Sequence, residues 1–217
     1  MLGRLFDRQP SRAVVPTGPG LSGPRFTRHS GGWGILRKRL LAEQGIRVLD
    51  VGATSAANIN LLTGMGQSVY MADLIHDAYS HDWKSGEDED GNAIWDVEGF
   101  RGQNLDFSGR KFGMVLLWTA LDYLPEAFVA PVVDGLYEAM EPGGQLFALF
   151  NLKMQPEEAP QYRFHLTLSD DVELQLAQPI PLQRALTNRK IEKLFQKWSG
   201  MRQFLAKDGV SEAIMTR

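Results

Sequence analysis

Three residues have the types and the spacing to hold a ligand that carries hydroxyl groups. Asp50 and Gly52 end a short apolar run, and Asp73 ends the next one, roughly 20 residues further along the chain. A glycine lets the backbone pass close to a ligand, and the amides that open a following helix can receive an anionic group. A carboxylate at the end of the second strand is placed to bind ribose hydroxyls. These residues predict a site for a nucleoside-containing ligand, although Asp73 also fits a plain helix cap.

Candidates for acid–base chemistry are few. Asp122 follows the most apolar run of the chain, where a substrate would approach, but it also fits a helix N-cap. His165 lies in an alternating segment, which favours a solvated strand residue. His76 and His81 flank two aspartates without the repeated spacing of a metal site. We therefore assign no catalytic residue and predict no metal site.

The elements that must position these residues alternate between strand and helix. The predicted strands are Arg47–Val51, Ser68–Ala72, Phe112–Leu117 and Gln145–Phe150, and the predicted helices are Trp33–Gln44, Ala56–Met65 and Pro125–Met140. This alternation is typical of parallel βαβ units in a sheet covered on both faces. In such a sheet, ligands lie beyond the carboxyl ends of the strands, where the strand order reverses. We therefore expect a doubly wound α/β domain with its ligand at the turn after Asp50.

The remaining segments complete this domain. Residues 76–102 are polar and are predicted as a loop, with a short helix within residues 94–100. Residues 163–178 alternate apolar and polar types, which predicts an inserted β-hairpin. This hairpin fits a substrate lid, a sheet extension or a dimer contact. Residues 187–198 are predicted as a helix, and residues 201–217 as two final strands.

The N-terminal segment has a different composition. Arginines alternate with prolines and glycines over residues 1–30, and such a segment buries too little apolar surface to offset its ordering entropy. It is predicted to be a flexible basic arm before a domain at residues 31–217. In an alternative reading, residues 26–28 fold over a ligand and supply a cation.

Composition and charge exclude several classes of protein. With a net charge of −3 at pH 7, the chain has no overall excess of positive charge that would favour binding of nucleic acid. The sequence contains no cysteine, which rules out disulfides, thiolate metal sites and cysteine nucleophiles. No apolar run approaches the ~18–20 residues that span a bilayer, and the N-terminus has no apolar secretory core. We expect a cytoplasmic protein with a small-molecule partner and no membrane partner. The sequence does not decide between a monomer and a homo-oligomer.

Several motifs in order resemble one enzyme family. Val48-Leu49-Asp50-Val51-Gly52 resembles the first motif of class I S-adenosylmethionine-dependent methyltransferases, and Asp73 matches the acidic residue that ends that family's second strand. Asn104-Leu105-Asp106-Phe107 resembles the third-strand motif, whose acid and apolar neighbour hold the adenine. Residues 112–118 resemble the fourth strand, and residues 141–146 the turn into the fifth. The resemblance extends from Arg47 to Arg217.

The resemblance implies a seven-stranded, mostly parallel sheet with a terminal antiparallel hairpin, and S-adenosylmethionine as cofactor. The residues that it implies around the cofactor are Asp50, Gly52, Thr54, Asn58, Asp73, Asp106 and Trp118. Thr54 and Ala56 stand where the family usually has its second and third glycines, and Gly113 stands in place of an aspartate. A Thr hydroxyl and the Asn58 amide can still hydrogen-bond the amino acid end of the cofactor.

The resemblance implies a methyltransferase that acts on a small molecule or a modest-sized acceptor. The degenerate glycine motif leaves a second hypothesis, a catalytically inactive methyltransferase-like binding or regulatory module. A nicotinamide-dependent oxidoreductase shares the glycine turn and the following acid, but the Gly-x-Gly-x-x-Gly pattern is missing.

Overall fold

Strands and helices alternate along the chain in a computed structural model, which describes residues 23–53, 55–152, 161–177, 180–205 and 208–217. The strands are β1 (Arg25–His29), β2 (Arg47–Val51), β3 (Ser68–Ala72), β4 (Lys84–Glu87), β5 (Ala93–Trp95), β6 (Phe112–Trp118), β7 (Met140–Asn151), β8 (Tyr162–Leu166), β9 (Asp171–Leu176), β10 (Gly200–Leu205) and β11 (Val210–Thr216). The helices are α1 (Gly31–Ala42), α2 (Ala56–Gly64), α3 (Leu74–Ser80), α4 (Val97–Asn104), α5 (Ala120–Tyr123), α6 (Glu126–Ala139) and α7 (Asn188–Leu194). Within these ranges, no helix is long and apolar enough to cross a membrane.

The central sheet has the strand order β10-β11-β7-β6-β2-β3. Strands β3, β2, β6 and β7 run parallel, and β11 is antiparallel to both β7 and β10. The predictions of an α/β domain and of a terminal antiparallel hairpin are therefore confirmed, and the sheet is mixed, with four parallel strands. The strand order reverses between β2 and β6, which fixes where a ligand would lie.

The prediction of a seven-stranded sheet is wrong, because the described residues place six strands in it. The motif at residues 104–107, which resembled a third strand, follows the end of α4 and enters a turn. The Asp106 carboxylate accepts a hydrogen bond from the Ser108 amide at 2.8 Å, and Ser108 and Gly109 both have positive φ angles. An Asx turn with two left-handed residues cannot continue as a strand.

Each face of the sheet supports its own apolar core. Val48, Met114 and Leu116 pack on one face with α1, α2 and the hairpin β8–β9. Leu49 and Val115 face the opposite side and pack with α3, α4, α6 and α7. Successive strand residues point to opposite faces, so a strand buried on both sides contributes to both cores.

A second sheet, with the order β1-β9-β8, lies over the carboxyl ends of the central strands. The β8–β9 hairpin was predicted and is confirmed. Residues 25–29 form β1, although they fall within the span 1–30 predicted as a flexible arm, and residues 1–22 lie outside the described part of the chain. Pairing with β9 satisfies the backbone groups on one edge of β1, and Arg28 forms ion pairs with Asp208 and the buried Glu212. Backbone pairing and charge, not apolar burial, order this segment.

The loop predicted for residues 76–102 contains more structure than expected. Helix α3 occupies its start and buries Leu74 and Ile75, and β4 pairs with β5 in a small hairpin. The predicted short helix is present as α4, which begins three residues later than residue 94. Polar composition concealed these elements, because α3 and α4 bury few residues and the hairpin β4–β5 is largely exposed.

Gly32 at the start of α1 offers a test of core packing. A methyl group there would lie 2.3 Å from Phe147 Cε2 and 3.1 Å from Glu212 Oε2. We expect Gly32→Ala to lower the free energy of unfolding by about 1–3 kcal/mol, the range of overpacked cores. Gly64 in α2 is the matched control, because nothing lies within 4 Å of the added methyl group. Gly64→Ala should raise stability by about 0.5–1 kcal/mol in urea unfolding. Equal effects of the two changes would contradict the packing described here.

Candidate ligand site at the switch point

Asp50 is the centre of a buried hydrogen-bond network at the end of β2. Its Oδ2 accepts a hydrogen bond from Asn58 Nδ2 at 2.8 Å, and its Oδ1 accepts one from Trp118 Nε1 at 2.6 Å. Burial raises the pKa of Asp50 to about 6, since desolvation outweighs the lowering effect of these two donors. Three residues predicted around the cofactor are thus brought together, but their polar groups bind one another.

The inserted hairpin reaches the same network through Asn58. The Asn58 Oδ1 accepts a hydrogen bond from the Leu166 amide at 2.7 Å, and Nδ2 also donates to the Phe164 carbonyl at 3.1 Å. A single amide side chain therefore binds Asp50 with one end and pairs with the backbone of β8 as a neighbouring strand would. Asn58 is almost completely buried, so water does not compete for these bonds.

A second contact joins the start of α2 to the hairpin. Ser55 Oγ caps α2 by accepting from the Asn58 amide, and it lies 2.7 Å from His165 Nδ1. His165 Nε2 lies 3.0 Å from Gln175 Oε1. The prediction of a solvated His165 is wrong, because its ring is buried between β8 and α2, and burial lowers its pKa. A neutral ring that donates to Gln175 and accepts from the Ser55 hydroxyl satisfies both nitrogens.

Trp118 closes the site from the end of β6. Its indole stacks on the Phe164 ring with a centroid distance of 4.8 Å and an interplanar angle of 1°. Its φ of +51° is in the left-handed region, which costs a non-glycine residue about 1–2 kcal/mol. The hydrogen bond to Asp50 and the stacking hold Trp118 in this conformation. The sequence offered no sign of this contact, because Phe164 is distant along the chain.

Asp73 lies at the end of the neighbouring strand, as expected. Its Oδ1 accepts a hydrogen bond from the His76 amide at 3.1 Å, so it caps α3. Burial raises the pKa of Asp73, and the charge of Arg163 on β8 acts in the opposite direction. The Nε of Arg163 is buried without a hydrogen-bond partner. A cation from the hairpin therefore stands near the carboxylate that was predicted to bind a ribose.

The structure does not bring Asp106 to this site. Asp106 is exposed and lines a separate groove with Leu105, Gly135 and Glu138, beside the C-terminal end of α6. Thr54 lies outside the described residues. In the described ranges, no group of three or more His, Asp or Glu residues is placed to hold a metal ion.

Little space remains between these residues. The cavity bounded by Gly52, Trp118, Arg163 and Phe164 has a volume of about 10 Å³. One water molecule needs about that volume, whereas small-molecule pockets begin near ~300 Å³. This cavity beneath the hairpin, bounded by described residues, does not hold S-adenosylmethionine.

Asp122 lies farther along the same edge of the sheet, inside α5 instead of at a helix N-cap. Its Oδ2 accepts hydrogen bonds from the backbone amide and from Nδ2 of Asn151, both at 2.8 Å. Its Oδ1 is buried without a hydrogen-bond partner. Burial raises the pKa of Asp122 to about 7, against the lowering effect of the Asn151 donors. This carboxyl group therefore takes up a proton near neutral pH.

No protein-family model and no curated protein matches the sequence. Comparison with solved structures finds TehB from Haemophilus influenzae, with 11% identity over 85% of this chain and a TM-score of 0.47. It also finds the 1,6-didemethyltoxoflavin-N1-methyltransferase of Burkholderia thailandensis, with 14% identity, 86% of this chain, 77% of that chain and a TM-score of 0.47. The magnesium protoporphyrin IX methyltransferase of Synechocystis PCC 6803 follows with 13% identity, 85% of this chain, 77% of that chain and a TM-score of 0.45. The chain spans 62% of the length of TehB. The fold assignment rests on the strand order and register given above, not on these distant likenesses.

Proposed function

We propose that this chain is an S-adenosylmethionine-dependent methyltransferase that acts on a small molecule or a modest-sized acceptor. One observation carries the proposal: Asp50 and Gly52 end β2 and Asp73 ends β3, beside the point where the strand order reverses. A ligand of a doubly wound sheet lies there, and a carboxylate in the position of Asp73 suits ribose hydroxyls. The cavity beneath the hairpin does not hold the cofactor, so binding beside Trp118 requires the hairpin to move.

The proposal predicts that Asp73 contributes to binding of S-adenosylmethionine. We expect Asp73→Asn to weaken binding about tenfold or more, because asparagine still caps α3 but carries no charge to bind the hydroxyls. Asp96→Asn is the matched control, since Asp96 caps α4 through a 2.9 Å hydrogen bond from the Gly99 amide, away from the switch point. Isothermal titration of the full chain with S-adenosylmethionine and S-adenosylhomocysteine measures both variants.

Two results of this titration would count against the proposal. Absence of binding of both compounds to the unaltered chain at millimolar concentration would remove it. Equal weakening of binding by Asp73→Asn and Asp96→Asn would mean that the ligand does not contact Asp73. The loss of affinity would then come from a disturbed helix cap and not from a lost contact with the ribose.

The closed cleft favours a second candidate, a catalytically inactive methyltransferase-like module. Asp50, Asn58 and Trp118 already satisfy one another, which a permanently closed protein would require. Incubation with S-adenosylmethionine and a panel of acceptors separates the two candidates. Formation of any methylated product excludes the inactive module, and binding without turnover across the panel supports it.

A further inference from the structure

The three-stranded sheet β1-β9-β8 stands in the place where a flat ligand would bind. The Phe164 ring covers Trp118 in a parallel stack, the arrangement that a planar ring system adopts on an aromatic side chain. The Phe164 carbonyl and the Leu166 amide take both ends of the Asn58 side chain. This part of β8 therefore supplies a flat face for Trp118 and a donor–acceptor pair for Asn58, which the adenine ring and the amino acid end of the cofactor would otherwise supply.

We propose that the sheet β1-β9-β8 is a removable plug, which competes with S-adenosylmethionine for Trp118 and Asn58. This inference rests on the proposed function, since it takes S-adenosylmethionine as the ligand. It explains how the residues at the switch point can have the types expected for a cofactor site and yet leave a cavity of about 10 Å³.

The plug contains a buried donor that its contacts at the switch point do not satisfy. Arg163 on β8 has a buried Nε without a hydrogen-bond partner, and a buried unsatisfied donor costs free energy. The contact of the plug with the start of α2 is satisfied, since Ser55 Oγ lies 2.7 Å from His165 Nδ1. The unsatisfied Nε of Arg163 therefore favours exchange of the plug for a ligand that lets this group find a partner.

The tip of the plug is attached to α1. Trp33 Nε1 donates to the Thr167 carbonyl at 3.1 Å, and Arg37 forms an ion pair with Asp170 at 2.6 Å. These contacts do not involve the switch point. The plug can therefore release Trp118 and Asn58 while its tip stays on α1.

Removal of the stacked ring tests the proposal. When the plug occupies the ligand site, only the open fraction of the molecules can bind. The apparent affinity is then the intrinsic affinity multiplied by that fraction. We expect Phe164→Ala to tighten S-adenosylmethionine binding about tenfold or more in isothermal titration. Leu168→Ala is the matched control, because Leu168 is 70% exposed at the hairpin tip and should bind as the unaltered chain does. If Phe164→Ala fails to fold, Phe164→Leu keeps apolar volume without a flat ring, and we expect a smaller gain of the same sign.

Hydrogen exchange of the unaltered chain gives an independent reading. Saturating S-adenosylmethionine should speed amide exchange in residues 162–168, because the Leu166 amide loses its bond to Asn58. Protection of this segment by the cofactor would overturn the plug. Binding of equal or lower affinity by Phe164→Ala, beside measurable binding by the unaltered chain, would also overturn the plug and leave the proposed function standing. Failure of every variant to bind would remove the proposed function and the plug with it.

Discussion

Asn58→Leu is expected to lower the free energy of unfolding by about 3 kcal/mol or more. Leucine has nearly the shape of asparagine, but it leaves Asp50 Oδ2, the Phe164 carbonyl and the Leu166 amide without their buried partner. Each buried group that loses its hydrogen bond costs about 1–3 kcal/mol. Urea unfolding followed by circular dichroism measures the change.

The control for this substitution lies on the same helix. Asn60 is exposed, so Asn60→Leu should change stability by no more than about 0.5 kcal/mol. A loss below 1 kcal/mol for Asn58→Leu would mean that water replaces the lost partner. In that case the hairpin does not seal the switch point as described.

Stability is expected to fall as the pH rises from about 4 to about 7, and Asp122 is expected to cause much of this fall. Burial raises its pKa in the folded chain to about 7, whereas an unfolded aspartate titrates near ~3.9. Between these values the folded state holds more protons than the unfolded state, so deprotonation favours unfolding. Full stability is present below the unfolded pKa and is lost up to the folded one. At ~1.4 kcal/mol per unit, the loss is a few kcal/mol.

Asp122→Asn should flatten this profile. Asparagine keeps an oxygen for the two Asn151 donors and carries no charge at any pH, so its stability at pH 8 should differ less from that at pH 5. Asp90→Asn, in the exposed turn between β4 and β5, should leave the profile of the unaltered chain intact. Urea unfolding at several pH values between 5 and 8 makes the comparison. Superimposable profiles for Asp122→Asn and the unaltered chain would show that the carboxyl group is solvated.

The parts of the fold that were predicted correctly depend on local patterns. The bounds of β2 and β3 match the prediction at every residue, because each is a short, mainly apolar run that is followed by a turn residue. A helix was predicted from residue 187, and α7 begins directly after Thr187, whose hydroxyl accepts a hydrogen bond from the Lys190 amide. Caps and runs of this kind involve residues within one turn of each other, so a single sequence carries them.

The parts that were missed depend on contacts between distant segments. The burial of His165 needs Ser55, which is 110 residues away, and the sequence gives no register between a hairpin and the turn that it covers. The position of Trp118 was predicted, but its partner Phe164 was not. Strand β1 has no apolar alternation and depends on β9 and on Glu212. The sequence therefore indicated where a ligand would bind but not that the chain itself covers that place.

The pairing of β1 with β9 also sets an order of assembly during synthesis. Arg25 and Glu173 form an ion pair across 148 residues of sequence. At ~5–20 residues per second, a ribosome makes that length in roughly 7–30 s. Throughout that interval β1 has no partner, and Asp50, Gly52 and Trp118 are synthesised before the strands that cover them. The nascent chain therefore passes through a stage with an exposed switch point, which lasts until β8 and β9 have been made.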